Sequence, residues 1–211
     1  MPDRVNQNVA RGAATREHLL TVATALFAER GYEGTSIEAV LQAAGVSRGS
    51  LYHHFPGKDA LFEAVLEALE TDVGRRTMEA AADAPDPANA LRAGCLAWVG
   101  IAADPVIQQI LLIDAPSVLG WQRWRTLGER HGLGLIKAGL TAIADQGGLA
   151  PDLVEVFAHV VLAAIDEIAL FVARSDQTDS ATEAGTAAIN EVLNRLLAIP
   201  ANPVRMSRPD T

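Results

Sequence analysis

From Gly45 to Asp59 the chain reads Gly-Val-Ser-Arg-Gly-Ser-Leu-Tyr-His-His-Phe-Pro-Gly-Lys-Asp, and no other stretch narrows the possible folds as much. Gly45 suits the end of one helix, Ser47 suits the cap of the next, and Pro56 must stop it. The short helix between them carries Arg48, Ser50, Tyr52, His53 and His54, with Leu51 as its one large aliphatic side chain. A helix so short and polar adds little to a core, but it suits a groove. Placed after an amphipathic helix and a short turn, it reads as the second helix of a helix-turn-helix.

The flanks extend the pattern. Residues 1–14 are polar and expected to be mobile. Thr15 is expected to cap a first helix with Leu19, Ala23, Leu26 and Phe27 at helical spacing, and Gly31 to stop it. Thr35-Ser36-Ile37-Glu38 matches a capping box with Thr35 as the cap, opening a second helix through Val40, Leu41 and Ala44. Lys58 opens a long fourth helix with Leu61, Phe62, Val65, Leu66 and Leu69 as its apolar stripe.

Taken together, Thr35-Ser36-Ile37, Gly45-Val46-Ser47, Gly49-Ser50-Leu51-Tyr52, His54-Phe55 and Lys58 with Leu61 resemble the N-terminal DNA-binding signature of the TetR family of transcriptional regulators. The resemblance covers about residues 15–62, with Phe27 and Gly31-Tyr32 upstream at fitting spacing. Chemistry assigns roles along it. Thr35, Ser36 and Ser47 offer hydroxyls at helix N-termini, where free N–H groups favour a phosphate. Arg48 is the candidate for a base contact, most naturally guanine O6 and N7, with Ser50 beside it. Gly49 permits close approach, Tyr52 can place its hydroxyl on a phosphate, His53 and His54 face the DNA, and Lys58 meets the backbone as a point charge. Val46, Leu51 and Phe55 are core. Arg11 and Arg16 can reach a phosphate or the minor groove from the arm, but the arm is not rich in lysine or arginine, so its contribution is expected to be small.

Charge agrees with this division. Residues 1–60 hold six Lys/Arg and six Asp/Glu, so the net charge of −9 lies entirely in the remainder. An acidic body with a neutral N-terminal module argues against a nonspecific nucleoid-type binder. No window is read as apolar enough for long enough to span a bilayer, no secretory h-region opens the chain, and the single Cys95 allows no internal disulfide. A cytoplasmic protein is expected.

The body reads as further helices. Asp86-Pro87 and Asp104-Pro105 each have the cap-then-proline form of a helix start. Asp114-Ala115-Pro116 is expected to turn the chain into a long helix through Trp121, Trp124, Leu127, Leu135 and Leu140, ending at Gly147-Gly148. Gly128, Gly132, Gly134 and Gly139 within it suggest a close neighbouring helix or room for a ligand. The stretch Leu153–Ala173 is apolar nearly all round, which demands cover on more than one side. A partner subunit is the simplest cover. The resemblance implies the same, a four-helix dimer interface built from the last two long helices. Phe157, Val160, Ile165, Ile168, Ala188, Val192 and Leu196 are its candidate residues.

The expected fold is all-α with about nine helices: residues 1–60 a helix-turn-helix DNA-binding domain, 61–199 a ligand-binding and dimerisation domain, 200–211 a flexible tail. The expected function is sequence-specific transcriptional regulation by a homodimer bound to a palindromic double-stranded operator and released by a small hydrophobic or amphipathic effector. Trp98, Trp121 and Trp124 are candidate pocket walls, and Gln108, Gln109 and Asp114 polar anchors. No phosphate loop, nucleophile elbow or metal-binding helix motif occurs. His131 and His159 lack ligand spacing, so neither catalysis, metal nor cofactor is expected. Cys95 reads as a small buried hydrophobe, with redox sensing as the weaker reading. The alternative from another class is a small helical ligand-binding protein or enzyme whose N-terminal helices are structural only. Exposure of the third helix discriminates, because a structural helix would bury more than Val46 and Leu51.

Overall fold

The computed structural model describes residues 2–197, with side chains from Ala10 onward. Among these residues regular structure is entirely helical. The helices are α1 (Pro2–Gly34), α2 (Ile37–Ala44), α3 (Arg48–His54), α4 (Lys58–Ala81), α5 (Pro87–Ile101), α6 (Pro105–Ile107), α7 (Ala115–Leu119), α8 (Trp121–Gly128), α9 (Gly134–Asp145), α10 (Val154–Ala173) and α11 (Thr178–Leu197). A π-helical turn, Gln108–Asp114, joins α6 to α7, and a second, Glu129–Leu133, joins α8 to α9. The expected tail at 200–211 lies outside the described residues. Contacts divide the chain into two compact units: residues up to Asp72 together with Asp104–Trp124, and Val73–Ala103 together with the chain from Arg125 onward.

The first unit is built on an aromatic and aliphatic core. Leu19, Ala23 and Phe27 of α1, Leu51 of α3, and Leu61, Phe62 and Val65 of α4 are fully buried. Phe27 meets Phe62 edge-on with centroids 5.1 Å apart, and Tyr32 meets Phe62 at 4.8 Å. Gly31 closes this core. Its φ of 69° breaks α1 inside its nominal span, and only glycine adopts that geometry at low cost. The kink frees the Tyr32 N–H, which donates to Asp114 Oδ2 at 2.7 Å. Gln109 Nε2 donates to the other oxygen of Asp114 at 3.1 Å.

Several expectations change here. Helix α1 begins at Pro2, so Thr15 is not a cap. Its hydroxyl donates to the Arg11 carbonyl at 2.9 Å, one turn back within the helix. Asp114-Ala115-Pro116 is not a turn either. The π turn leads straight into α7, whose first turn tolerates Pro116 because no N–H is needed there. The break falls at Gly120, with φ 80°.

In the second unit, α5, α9, α10 and α11 pack against one another. Three of the four expected glycines in the α8–α9 rod have close neighbours. A Cβ at Gly132 would lie 3.2 Å from Leu162, one at Gly139 3.4 Å from Leu91, and one at Gly128 4.0 Å from Asp166, whereas Gly134 faces open space. Gly185 of α11 is tighter still, with Ile168 2.7 Å from where a Cβ would sit. Arg92 of α5 ties α11 by donating to Asn190 Oδ1 at 2.9 Å and Asn194 Oδ1 at 2.8 Å. Cys95 is buried, and burial pushes its thiol up to about 12, which disfavours the reactive thiolate and fits the small buried hydrophobe.

One expectation about membranes is corrected. Pro151–Ala173 is long and apolar enough to cross a bilayer by length and composition, with a mean hydropathy of 2.1. Its inner side, including Val161, Leu162, Ile165 and Ala169, is buried in the unit's own core. Its outer side leaves Val156, Val160 and Phe171 exposed, at 58%, 47% and 57%.

Two predictions follow from packing and charge. Gly31→Ala should lose roughly 1–3 kcal/mol, because φ 69° with ψ 172° is a backbone region essentially restricted to glycine, and more from the 3.3 Å approach of Gln109. Gly134→Ala, helical and facing open space, should instead gain about 0.5–1 kcal/mol; thermal unfolding of both variants checks the contrast. Asp166 accepts no hydrogen bond among the described residues. Burial pushes its pKa from 3.8 to about 7; the Arg125 charge pulls it down and Glu129 pushes it up. The folded chain therefore binds a proton here that the unfolded chain has released. Stability should fall as pH rises from about 4 to about 7 and then level off. Asp166→Asn should flatten that fall, as read from melting temperature against pH.

Candidate nucleic-acid interface

Helix α3 is held at its ends and by very little between. The Ser47 side chain accepts from the Ser50 N–H at 3.2 Å, Gly45 in the left-handed region (φ 64°) ends α2, and the Phe55 N–H closes the last turn on the Leu51 carbonyl at 2.8 Å. Leu51 is the one buried residue of α3. Phe55, just beyond, is 3% exposed, and Val46 is half-buried. Everything else faces outward: Ser47, Arg48, Gly49, Tyr52 and His53 are exposed, and Ser50 and His54 half-buried. Gly49 has open space on the side a Cβ would occupy, so a duplex backbone meets no obstruction there.

Arg48 is not free. Its Nη2 donates to Glu38 Oε1 of α2 at 2.5 Å, with both side chains well exposed. Glu38's own backbone N–H, then Arg48, hold its carboxyl below the usual carboxylate range. Lys58 at the start of α4 stands with Nζ 3.9 Å from the centre of the Tyr32 ring. Tyr32 in turn donates its hydroxyl to Asp59; burial, then that bond, push its pKa up to about 12. Arg16 lies over the Phe55 ring at 5.3 Å. His18 is a contact missed in the sequence, its Nε2 3.0 Å from the Ala44 carbonyl at the end of α2.

Thr35 leaves the DNA-facing set. It is 1% exposed, and its hydroxyl is shared between the Leu26 and Gly31 carbonyls at 3.1 and 2.9 Å. It locks the kink of α1 and has nothing to offer a phosphate. The cap of α2 is Ser36, which accepts from the Ala39 N–H at 3.1 Å and is exposed. No capping box forms, because the residue three after the Ser36 cap is Ala39, and Glu38 pairs with Arg48 instead.

The six effector candidates do not form one group. Trp98 belongs to the second unit, and Gln108, Gln109, Asp114, Trp121 and Trp124 to the first. Gln109 and Asp114 are engaged at the Gly31–Tyr32 kink, so neither is left as a free anchor. Trp124 donates its indole N–H to the Leu111 carbonyl at 2.8 Å and meets half-exposed Trp121 in a tilted ring contact with centroids 4.8 Å apart. Trp98 Nε1 and Gln108 Nε2 are buried with no hydrogen-bond partner among the described residues. An open groove of about 340 Å³ lies elsewhere, at the α10–α11 turn, between Phe171, Gln177 and Ala184. No group of three metal-ligating side chains occurs among the described residues.

The dimer candidates also separate. Val160 and Ala188 are exposed, and Phe157, Ile168 and Val192 half-buried. Ile165 and Leu196, at 6% and 8% exposure, are covered by their own subunit and support the outer face from behind. Val156 and Phe171 belong to that face and were missed, because an apolar helix gives no sign in sequence of which side its own subunit covers.

Comparison with known proteins agrees with this arrangement. Residues 19–65 match the bacterial regulatory proteins of the tetR family, and residues 88–196, just over half of the chain, match the tetracyclin repressor-like C-terminal domain. The chain is 42% identical over 79 residues to the HTH-type transcriptional regulator AcrR of Shigella flexneri, and 37% identical over 78 residues to the HTH-type transcriptional repressor KstR2 of Rhodococcus jostii. Each match covers 37% of this chain, and only 37% and 38% of the two relatives. The solved structure of a TetR-family transcriptional regulator from Pectobacterium atrosepticum superposes with a TM-score of 0.79 at 30% identity, covering 90% of this chain and 98% of that one. With its DNA-facing helix and its C-terminal body matching separate models of one family, the chain belongs to the TetR family of transcriptional regulators.

Proposed function

We propose that the protein is a sequence-specific transcriptional repressor, working in the bacterial cytoplasm as a homodimer on a palindromic operator and released by a small amphipathic effector. The observation that carries this reading is α3. A helix that buries only Leu51 and presents Arg48, Tyr52 and His53 to solvent makes no sense as a structural element and good sense as a major-groove probe. The relatives are regulators and not enzymes, which favours this reading over a helical enzyme. Ser36, Ser47, Tyr52 and Lys58 serve as phosphate contacts, and Arg48 as the base reader. The exposed face of α10, with Val156, Val160 and Phe171, together with α11, serves as the dimer seam. In the second unit, the buried and unpartnered indole N–H of Trp98 supports an effector that brings a hydrogen-bond acceptor. Such an effector releases DNA only if it binds more tightly to the conformation that misfits the operator.

The operator is obtained by selecting from randomised duplexes with the wild-type protein. On that operator Arg48→Ala should cost roughly 2–6 kcal/mol, because a dimer uses each base contact twice. Lys58→Ala should weaken all duplexes alike and lower the salt slope by about one per subunit. Gel-shift titrations against salt separate the two effects, and an Arg48→Ala protein that binds as wild type would remove the base-reading role. Val160→Glu should split the dimer without unfolding the subunit, since Val160 is already 47% exposed in a single chain. Light scattering of this variant at micromolar concentration should give the monomer mass, and its operator affinity should collapse with the loss of the second half-site.

A further inference from the structure

The Glu38–Arg48 pair poses a problem for a DNA-binding surface. A carboxylate at the start of α2 stands where phosphates are to dock, and it repels them. Its cost is justified if it does something for the arginine. An unrestrained arginine on an exposed helix start reaches phosphates and bases alike, because its long side chain samples many rotamers and its guanidinium suits both. Glu38 engages Nη2, and with the Arg48 side chain 60% exposed the rest of the fork is open to solvent. The bidentate edge that guanine O6 and N7 require is thereby still available. Glu38 is itself held: its carboxylate accepts from its own backbone N–H in the first turn of α2, and Ser36 caps that turn.

We propose that Glu38 is a positioning residue for sequence readout, fixing the Arg48 guanidinium so that it addresses one base edge and is kept from neighbouring phosphates. This rests on the DNA-reading role proposed for Arg48. Glu38 contributes discrimination, not affinity. Its removal should make the protein bind DNA more readily and choose less well.

The test uses the full chain, the palindrome that the wild type selects, single-base-pair variants of that palindrome, and a random duplex. In the wild type one symmetric base-pair position should lose its preference on Arg48→Ala, which marks the position that Arg48 reads. At that position Glu38→Gln should lower discrimination by about 5- to 100-fold. The same variant should raise affinity for the random duplex a few-fold and steepen its salt dependence, since one fewer negative charge faces the phosphates. Glu38→Asp, which keeps the charge, should recover part of the discrimination. In the Arg48→Ala background Glu38→Gln should leave base preferences unchanged, whereas a merely structural role would still show there. The proposal is overturned if Glu38→Gln raises affinity for every duplex while discrimination stays at the wild-type value, because Glu38 would then only sequester Arg48. It also fails if Glu38→Gln changes nothing in a folded protein. If instead Arg48→Ala leaves preference unchanged at every position, the fault lies with the base-reading role of Arg48, and the positioning role falls with it. Thermal unfolding confirms that both variants keep the wild-type melting temperature, as expected for two exposed side chains.

Discussion

A seven-residue helix cannot hold itself, and the function of this protein depends on holding one. Helix α3 buries a single leucine, so its place must come from outside. The Ser47 cap fixes its start, Gly45 sets the angle at which α2 hands the chain over, and Leu51 and Phe55 enter the core of the first unit. That core in turn depends on Gly31. The kink there directs Tyr32 onto Phe27 and Phe62, exposes a backbone N–H that Asp114 satisfies, and is locked by the buried Thr35 hydroxyl. A probe with few internal contacts is rigid because the scaffold beneath it is closely determined.

Much of this is legible in the sequence where the signal is local. Caps and breakers act on residues within one turn, so Gly31, Gly45, Ser47, Asp86-Pro87 and Asp104-Pro105 announce themselves. What stays hidden is set by distant partners. Asp114 looks like a turn residue and is instead the acceptor for Tyr32, 82 positions earlier. A π turn keeps the helix going past Pro116, and no composition signals it. In sequence Glu38, three residues on, favours Thr35 as the cap, yet Ser36 takes that place. The choice between them is made by burial, since only Thr35 lies over the kink and finds the Leu26 carbonyl. The apolar run of α10 shows that cover is needed but not which residues the subunit itself covers, so Ile165 and Val160 look alike until the fold separates them.

Charge placement completes the account. The acidic excess lies outside residues 1–60, so the body does not compete for polyanions. Within the module the cations are few, and three of them have local partners: Arg48 with Glu38, Lys58 with the Tyr32 ring, Arg16 with the Phe55 ring. A surface of this kind gains little from nonspecific attraction. It has to rely on placed contacts, and so on both subunits acting together.

Methylation interference on the selected duplex tests the central claim most directly, because a methyl group at guanine N7 blocks the edge that Arg48 is to read. If α3 of each subunit enters a major groove, interference should appear at symmetric guanines in the two half-sites, about one helical turn or roughly 34–36 Å apart. Interference that is absent at every guanine, or confined to a single half-site, would contradict the account.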